Sequence, residues 1–471
     1  MSVFIKKPAP LALCLLLSAC GDTPLRPASG VTAPERWQAA STAAELDSAR
    51  DWWKRFRSAE LDALIERARA GSQDVAAASA RVRRARADIR VAGAASWPEV
   101  SADLQAERER LLSGTGNRDL DASEDDPSIE LFDLSFSASY EVDFWGARAA
   151  SQARAEQAWH ASAFDRAALE LSVLASVADT YLRILALRER SRIAELDLDN
   201  AQQVLRLVET RHESGAATAL ELAQQRSLVA RQQRQLPLIR QELEDTRVAL
   251  ARLLGEPVQR IDLGTSTLAD LRWPEIGAGL PSELLGRRPD IAAAEARLAA
   301  ADADVQVARA ALLPRLNLGA SLGSGAERAS HLLHSPFYTL TAGLTAPVFN
   351  HGRLAAQREG VEAERQALLH EYRGAILAAF ADVETALNAI EGLDRQRHWQ
   401  SLERDEAERA FRLAEERYRA GAETLLNVLE TQRTLYQAQD EQVRLRLARL
   451  QASVALYKAL GGGWREAPRK G

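Results

Sequence analysis

The 471-residue chain has only two cysteines, Cys14 and Cys20, and both lie in its first twenty residues. The rest of the chain therefore holds neither a disulfide nor a thiolate metal site. Lysine is nearly as scarce: Lys6, Lys7, Lys54, Lys458 and Lys470 are the only five among 60 basic residues, so positive charge is almost all arginine. Against 66 acidic residues this leaves a formal charge of −6, which gives no basic footprint for nucleic acid. Apolar residues make up 46% of the chain, yet no apolar run reaches the roughly 20 residues that a membrane-spanning helix needs. No Gly-rich phosphate loop ending in Lys-Ser/Thr occurs, and no His-Glu-x-x-His helix. The seven histidines are scattered, and the closest pair, His331 and His334, has no acidic or thiol cluster to complete a metal site. These absences exclude cysteine chemistry in the folded body and leave an enzyme, a cofactor or a nucleic-acid partner without support.

The N-terminus reads as an address. Lys6 and Lys7 precede an apolar run from Ala9 to Ala19, the charged and apolar regions of a secretory signal. The run ends Leu17-Ser18-Ala19-Cys20, which looks like a bacterial lipobox. Cleavage before Cys20 would discard Cys14 and leave Cys20 carrying S-diacylglycerol and N-palmitoyl groups. Residue 21 is glycine rather than the aspartate that favours retention at the inner membrane, so the outer membrane is the expected destination. Asp22 to Pro34, rich in Pro, Thr, Ser and Gly, reads as a tether.

Length alone would suggest roughly three domains, but the chain is one motif written twice. Asp74–Pro98 laid on Asp290–Pro314, an offset of 216, gives 14 identities in 25 positions. Beyond that the offset becomes 206: Gly146 falls on Gly352, Arg211 on Arg417, Gly215 on Gly421 and Leu254-Gly255 on Leu460-Gly461. The change of ten lies between Pro98 and Gly146, so the first copy has the longer loop there. Residues 147–214 contain neither Gly nor Pro and are dominated by strong helix formers. As one helix they would run about 100 Å. Apolar spacing of three and four (Leu174, Ala178, Tyr181, Leu185; Ile376, Ala379, Val383, Ala386) predicts long, nearly parallel helices. A coiled-coil rod would satisfy that pattern equally well. Pro237, inside the following helical segment, removes a backbone donor and predicts a local kink.

Four other stretches alternate with period two, at about 98–108, 132–144, 314–324 and 336–348. Leu134, Phe136, Ala138, Tyr140 and Val142, for example, interleave with Ser135, Ser137, Ser139 and Glu141. In isolation this also suits a soluble sandwich. Combined with a lipoprotein signal it predicts transmembrane β-strands with one lipid face and one wet face. Four strands cannot close a barrel, and open edges are not tolerated in lipid, so the barrel must be shared between chains. Two chains would give 8 strands and three would give 12; only the larger leaves room for a wide lumen. The segment Arg108–Glu130, with Asp119, Asp121, Glu124, Asp125 and Asp126, is expected to be a solvated outer loop.

On these residues the chain resembles the TolC-like outer-membrane factor family, in particular its lipoprotein (NodT-type) multidrug efflux branch. The carriers are Trp52-Trp53 with Phe56 and Leu61, the run Tyr140-Glu141-Val142-Asp143-Phe144-Trp145-Gly146, Arg287-Arg288-Pro289-Asp290-Ile291, Arg417-Tyr418-Arg419-Ala420-Gly421 before Leu426-Asn427-Val428-Leu429-Glu430, and Leu456-Tyr457-Lys458-Ala459-Leu460-Gly461-Gly462-Gly463-Trp464. The resemblance covers essentially the whole mature chain. It implies a mainly α fold with β: a homotrimer whose shared 12-stranded outer-membrane β-barrel continues into a long periplasmic α-helical barrel. The division it supports is signal peptide 1–19, lipidated tether and equatorial segment 20–60, repeat 1 at 61–255, inter-repeat linker 256–285, repeat 2 at 286–461 and tail 462–471. It also implies a passive duct in a tripartite efflux system, with a periplasmic adaptor and an inner-membrane transporter as partners and outer-membrane lipid around the barrel. A duct for protein secretion is the alternative within that class, and a structural periplasmic coiled-coil lipoprotein the alternative outside it. The net acidity suits a lumen that prefers cations.

The resemblance further implies a periplasmic gate. Position for position, Leu426, Asn427 and Glu430 fall where relatives set an apolar residue and acidic residues at the narrowest ring, with Arg419 expected to tie the closed tip by an ion pair. The family commonly has aspartate at the positions of Asn427 and Glu430, and this chain departs at both. Carboxylates meeting on a symmetry axis repel one another and attract cations. Arg211 and Gly215, with their counterparts Arg417 and Gly421, mark helix-tip turns expected to dock the adaptor.

Overall fold

The computed structural model describes residues 29–39, 50–110 and 128–465. Its order repeats itself: helices α1 (Ala59–Gly71) and α2 (Gln73–Ala94), strands β1 (Glu99–Arg110) and β2 (Ser128–Val142), then helices α3 (Ala147–Glu213) and α4 (Ala219–Leu254). A linker with short helical turns follows. The second copy then runs α5 (Pro289–Ala310), β3 (Arg315–Ala326), β4 (Pro336–Thr345), α6 (His351–Arg419) and α7 (Leu425–Ala459).

Three of these helices open on a side-chain cap. The Ser58 hydroxyl accepts from the Leu61 amide at 3.1 Å to open α1, and Thr218 with Glu221 forms a reciprocal capping box on α4. Asp143 accepts from the amides of Arg148 and Ala149, both at 3.1 Å, and so satisfies the exposed first turn of α3. Two residues on, the Trp145 indole N–H donates to the Pro314 carbonyl at 2.7 Å, latching the start of α3 to the start of β3. The Tyr140–Gly146 motif is thus a strand end, a cap and a latch. Helix α3 runs 67 residues and α6 runs 69 without interruption, and α4 continues through Pro237.

The four strands form one antiparallel sheet in the order β1-β2-β3-β4. Its register aligns chemistry across all four. Ala102, Phe136, Leu322 and Tyr338 stand in one row; Ser101, Ser137, Ser321 and Thr339 stand in the next, on the opposite face. On the apolar face Val100, Leu104, Leu340 and Leu344 are each more than 70% exposed. Such a continuous apolar face suits hydrocarbon, not water. The ladder reaches slightly further outward than the alternation predicts, to Arg110 and back from Ser128; the rest of the segment expected to be an outer loop, residues 111–127, lies outside the described residues. Strand β4 instead stops at Thr345, short of the expected 348, because Pro347 has no N–H to give the ladder. Among the described residues no helix is long and apolar enough to cross a membrane.

The helices pack in a row. Helix α3 lies along α2, α4, α5 and α7, and α6 lies along α5 and α7. The largest core sits midway, where Trp52, Trp53 and Phe56 meet Leu61, Tyr181, Leu185, Leu250, Leu254 and Tyr457, with linker residues Ile261, Leu268 and Leu271 in the same cluster. The rings of Trp52 and Tyr457 stack at 5.4 Å. A smaller cluster joins Trp37 to Phe380, Val383 and Leu456. Burying each such side chain contributes about 1.5–3 kcal/mol, and this belt holds the largest of the buried clusters. Arg288 fastens the second copy to it: the guanidinium grips Asp290 at 2.6 Å and Asp382 at 2.9 Å, and donates to the Ala459 carbonyl. Burial alone would raise the Asp290 carboxyl, but the Arg288 bonds outweigh it and hold that group below its ordinary range.

The duplication survives to single contacts. Gly255 ends α4 with φ +72°, and a side chain there would run into the Gly71 carbonyl; Gly461 follows α7 with φ +88° and abuts the Arg287 carbonyl in the same way. Residues 71 and 287 are related by the offset of 216, and 255 and 461 by 206. Gly461→Ala should therefore destabilise the protein by about 1–3 kcal/mol through a left-handed, blocked backbone. Gly352→Ala, which meets open space, should not. Thermal unfolding in detergent, followed by helical circular dichroism, distinguishes them; equal melting of the two variants would refute the blocked contact.

Candidate functional site

The sequence-derived site residues gather at the end of the helical shaft remote from the sheet. The α3–α4 turn closes with the amides of Ala216 and Ala217 on the Arg211 carbonyl, at 2.7 and 3.1 Å, and Gly215 in the left-handed region. The α6–α7 turn repeats this, with the Ala422 amide 2.9 Å from the Arg417 carbonyl and Gly421 left-handed. The two turns touch. The Arg211 guanidinium donates to the Tyr418 carbonyl at 2.6 Å and lies over the Tyr418 ring, 4.6 Å from its centroid. Hydrogen bond and cation–π contact act together, on a ring that is buried. Burial pushes the Tyr418 hydroxyl above its ordinary range, against the opposing pull of Arg211.

The chains of contacts around the gate residues are local. On α7, Leu425, Val428 and Leu435 form the buried stripe, while Leu426, Asn427 and Glu430 lie off it. Leu426 is 65% exposed, and with Glu430 it lines a groove of about 500 Å³ between α4 and α7. Glu430 pairs with Arg433 at 2.5 Å, and the Asn427 amide donates to Glu423 at 2.7 Å. Arg419 pairs with Glu415, one turn back on its own helix, at 2.6 Å; within the chain its ion pair braces the end of α6. Arg417 lies 3.5 Å from Glu423 and donates to the Ala422 carbonyl.

Two features escape a reading of sequence. Glu423 accepts from the Thr424 amide and from Asn427, which hold its carboxyl below its usual range. Asn427 therefore serves the start of α7, where its counterpart Glu221 completes the capping box of α4. The other is Asp197, buried inside α3: burial, with Asp440 nearby, pushes its carboxyl up to about 7. The Tyr436 hydroxyl donates to the Asp197 carbonyl oxygen of the backbone at 2.8 Å, and Arg190 pairs with Asp440 at 2.6 Å beside it. A lone Asp or Tyr in a helical run carries no sign of burial; only the heptad phase of Ala194, Ala201 and Val204 could have pointed to it.

No group of three or more His, Cys, Asp or Glu residues that could hold a metal occurs among the described residues. Cys20 lies outside them. A sheet with one apolar face, carried on 100 Å helices with polar tips, describes a duct wall rather than a catalytic pocket.

Comparison with known proteins gives the class. The outer membrane efflux protein family matches residues 64–256 and 280–462, one match for each repeat. The chain belongs to that family: it is an outer-membrane efflux channel, a transport duct and not an enzyme. Among named relatives it is 57% identical over 455 residues to the pyoverdine export outer membrane protein OpmQ of Pseudomonas aeruginosa, covering 96% of each chain. It is 60% identical over 456 residues to the protein of the same name from Pseudomonas putida, covering 96% of this chain and 97% of the other. Among solved structures it superposes on the outer-membrane channel OprN with a TM-score of 0.85 and 27% identity, covering 93% of this chain and 98% of that one.

Proposed function

We propose that this chain is the lipid-anchored, homotrimeric exit duct of a tripartite pump that exports pyoverdine. The observation that carries the cargo is identity of 57% and 60%, sustained over 96% of the chain, to two proteins named for pyoverdine export. The trimer is supported by the sheet: β1 and β4 are open edges, and only closure with further copies satisfies them in lipid. An adaptor docked on the two joined tip turns and an inner-membrane transporter behind it supply cargo and energy, since the duct itself holds neither. Cys20 carries the S-diacylglycerol and N-palmitoyl anchor, in keeping with the lipobox around it.

In this reading Leu426 and Glu430 of each copy stand at the constriction, with Asn427 contributing no charge. Glu430 is a surface carboxylate tied to Arg433, so three copies bring partly compensated rather than bare charge to the axis. Arg211 and Arg419 stiffen the tips that must part on opening.

Three measurements test it. Deleting the gene should lower pyoverdine in the culture supernatant and raise it in the periplasm, both by mass spectrometry; unaltered export would overturn the cargo. Leu426→Ala combined with Glu430→Ala should raise single-channel conductance in planar bilayers severalfold, and unchanged conductance would sink the ring assignment. Cys20→Ser should abolish labelled palmitate incorporation; retained label would place the anchor elsewhere.

A further inference from the structure

The junctions between sheet and helices carry large aromatic side chains in the open. Trp97 before β1, Phe144 before α3 and Phe349 before α6 are 76%, 64% and 102% exposed. Such rings settle at the boundary between hydrocarbon and water, so they mark the level at which the membrane ends. Just below that level α2 is heavily cationic. Arg83, Arg86 and Arg90 are exposed, and none has a hydrogen bond or ion pair among the described residues. Counted back from Ala94, the last residue of α2, Arg90, Arg86 and Arg83 lie about 6, 12 and 16 Å down the helix. A headgroup layer about 5–8 Å deep and a Debye length of about 8 Å bring these charges within reach of lipid phosphates.

The three arginines share one side of α2. Val75 and Ala78 are buried and Val82, Ala85 and Ile89 half-buried, which turns that stripe onto α3. Arg81 and Asp88 are the repeat equivalents of Arg297 and Asp304, which line a groove of about 840 Å³ bounded by α3, α5 and α6. Arg83, Arg86 and Arg90 each stand two residues from Arg81 or Asp88. Two residues exceed half a helical turn, so the stripe faces away from the groove side.

The tether shows which side is outside. On α6 the groove is lined by Leu354, Val361 and Leu368, while Arg373 and Phe380 lie across the helix from them. There Arg373 donates to the Ser29 carbonyl at 2.7 Å, and Phe380 meets the Trp37 ring at 6.2 Å. That segment leads back to Cys20 and its lipid, so the side it occupies is the exterior of the duct. The arginine stripe faces the same way.

The fold does not demand this charge. The equivalent positions in copy two are Ala299, Asp302 and Gln306, and Asp302 pairs with Arg365 of α6. Charge is lost or reversed there although the two segments match at 14 of 25 positions.

We infer that Arg83, Arg86 and Arg90 form an outward-facing site for the headgroups of anionic phospholipid, of the phosphatidylglycerol class, in the periplasmic leaflet. Guanidinium forks take phosphate oxygens in pairs, and a cationic segment beside the membrane draws anionic lipid to it. Each copy is then held at the bilayer by charge as well as by its acyl chains. The inference rests on the lipid-anchored trimer proposed above and adds the class of lipid gathered at its base.

Lipid selection tests the site in the full-length protein in neutral detergent. Offered an equimolar mixture of phosphatidylglycerol and phosphatidylcholine with the same acyl chains, the oligomer should retain the anionic lipid in roughly tenfold excess by native mass spectrometry. High salt should erase the preference. Arg83→Gln, Arg86→Gln and Arg90→Gln together should bring the two lipids to parity without changing the oligomer's mass. The same charge loss far from the membrane, Arg395→Gln with Arg409→Gln and Arg412→Gln on α6, should leave the excess intact. A stripe variant that still selects phosphatidylglycerol overturns the site. Loss of retained lipid to inorganic phosphate at matched ionic strength would make free phosphate the ligand and overturn the lipid assignment. The same spectra report oligomer size and acylation of Cys20: a monomeric or unacylated wild type overturns the anchored trimer, whereas an acylated trimer without lipid preference overturns the stripe alone.

Discussion

Everything in this molecule follows from the cost of an unpaired peptide group in hydrocarbon. Each N–H or C=O left open there costs several kcal/mol, and a four-stranded sheet has two full edges of them. A chain of this sequence cannot place its sheet in the membrane alone, however well the apolar face matches lipid. The barrel is therefore a property of an assembly, and the helices that continue from the strands inherit the assembly's geometry. The start of α3 is fixed at the sheet by the Asp143 cap and the Trp145 latch, so strand order in the membrane constrains helix order in the periplasm.

Duplication solves the closure problem economically. If one copy can lie beside another within the chain, the same surfaces can meet between chains, and a ring needs one kind of joint. The copies nonetheless differ at the starts of their last helices. Thr218 and Glu221 make a reciprocal cap on α4, whereas α7 is opened by Glu423 and Asn427. Copy two thus trades a carboxylate for an amide on the helix that carries the proposed constriction, while copy one keeps it.

Most of the architecture was legible in the sequence because it rests on periodicity. Strands with one lipid face must alternate, and 67 residues without Gly or Pro have little choice but helix, so both could be placed within a few residues. Strand ends were harder: the ladder continues past the alternation into Ser128 and Arg110, where backbone pairing persists after side-chain pattern has stopped. The motifs were visible before their reasons. Arg288 reads as a charge beside a proline, but its worth lies in Asp382 and the Ala459 carbonyl, 94 and 171 residues away. Arg419, expected to tie the tip, pairs within the chain with Glu415 on its own helix, since a spacing of four puts the two side by side. Asp197 and Tyr418 were opaque for a simpler reason: burial is a tertiary fact, and neither residue type announces it.

The stacking of Trp52 on Tyr457 has a kinetic side. Those rings lie 405 positions apart in the chain, and the central cluster they complete also draws on the linker at Ile261 and Leu268. A nucleus assembled from such distant parts must pay loop closure before its contacts reward it. The belt therefore closes only after the last helix has emerged from synthesis and export. Until then the apolar faces of the strands belong to a chain whose middle is unfinished, the condition in which exposed apolar surface is most prone to aggregate.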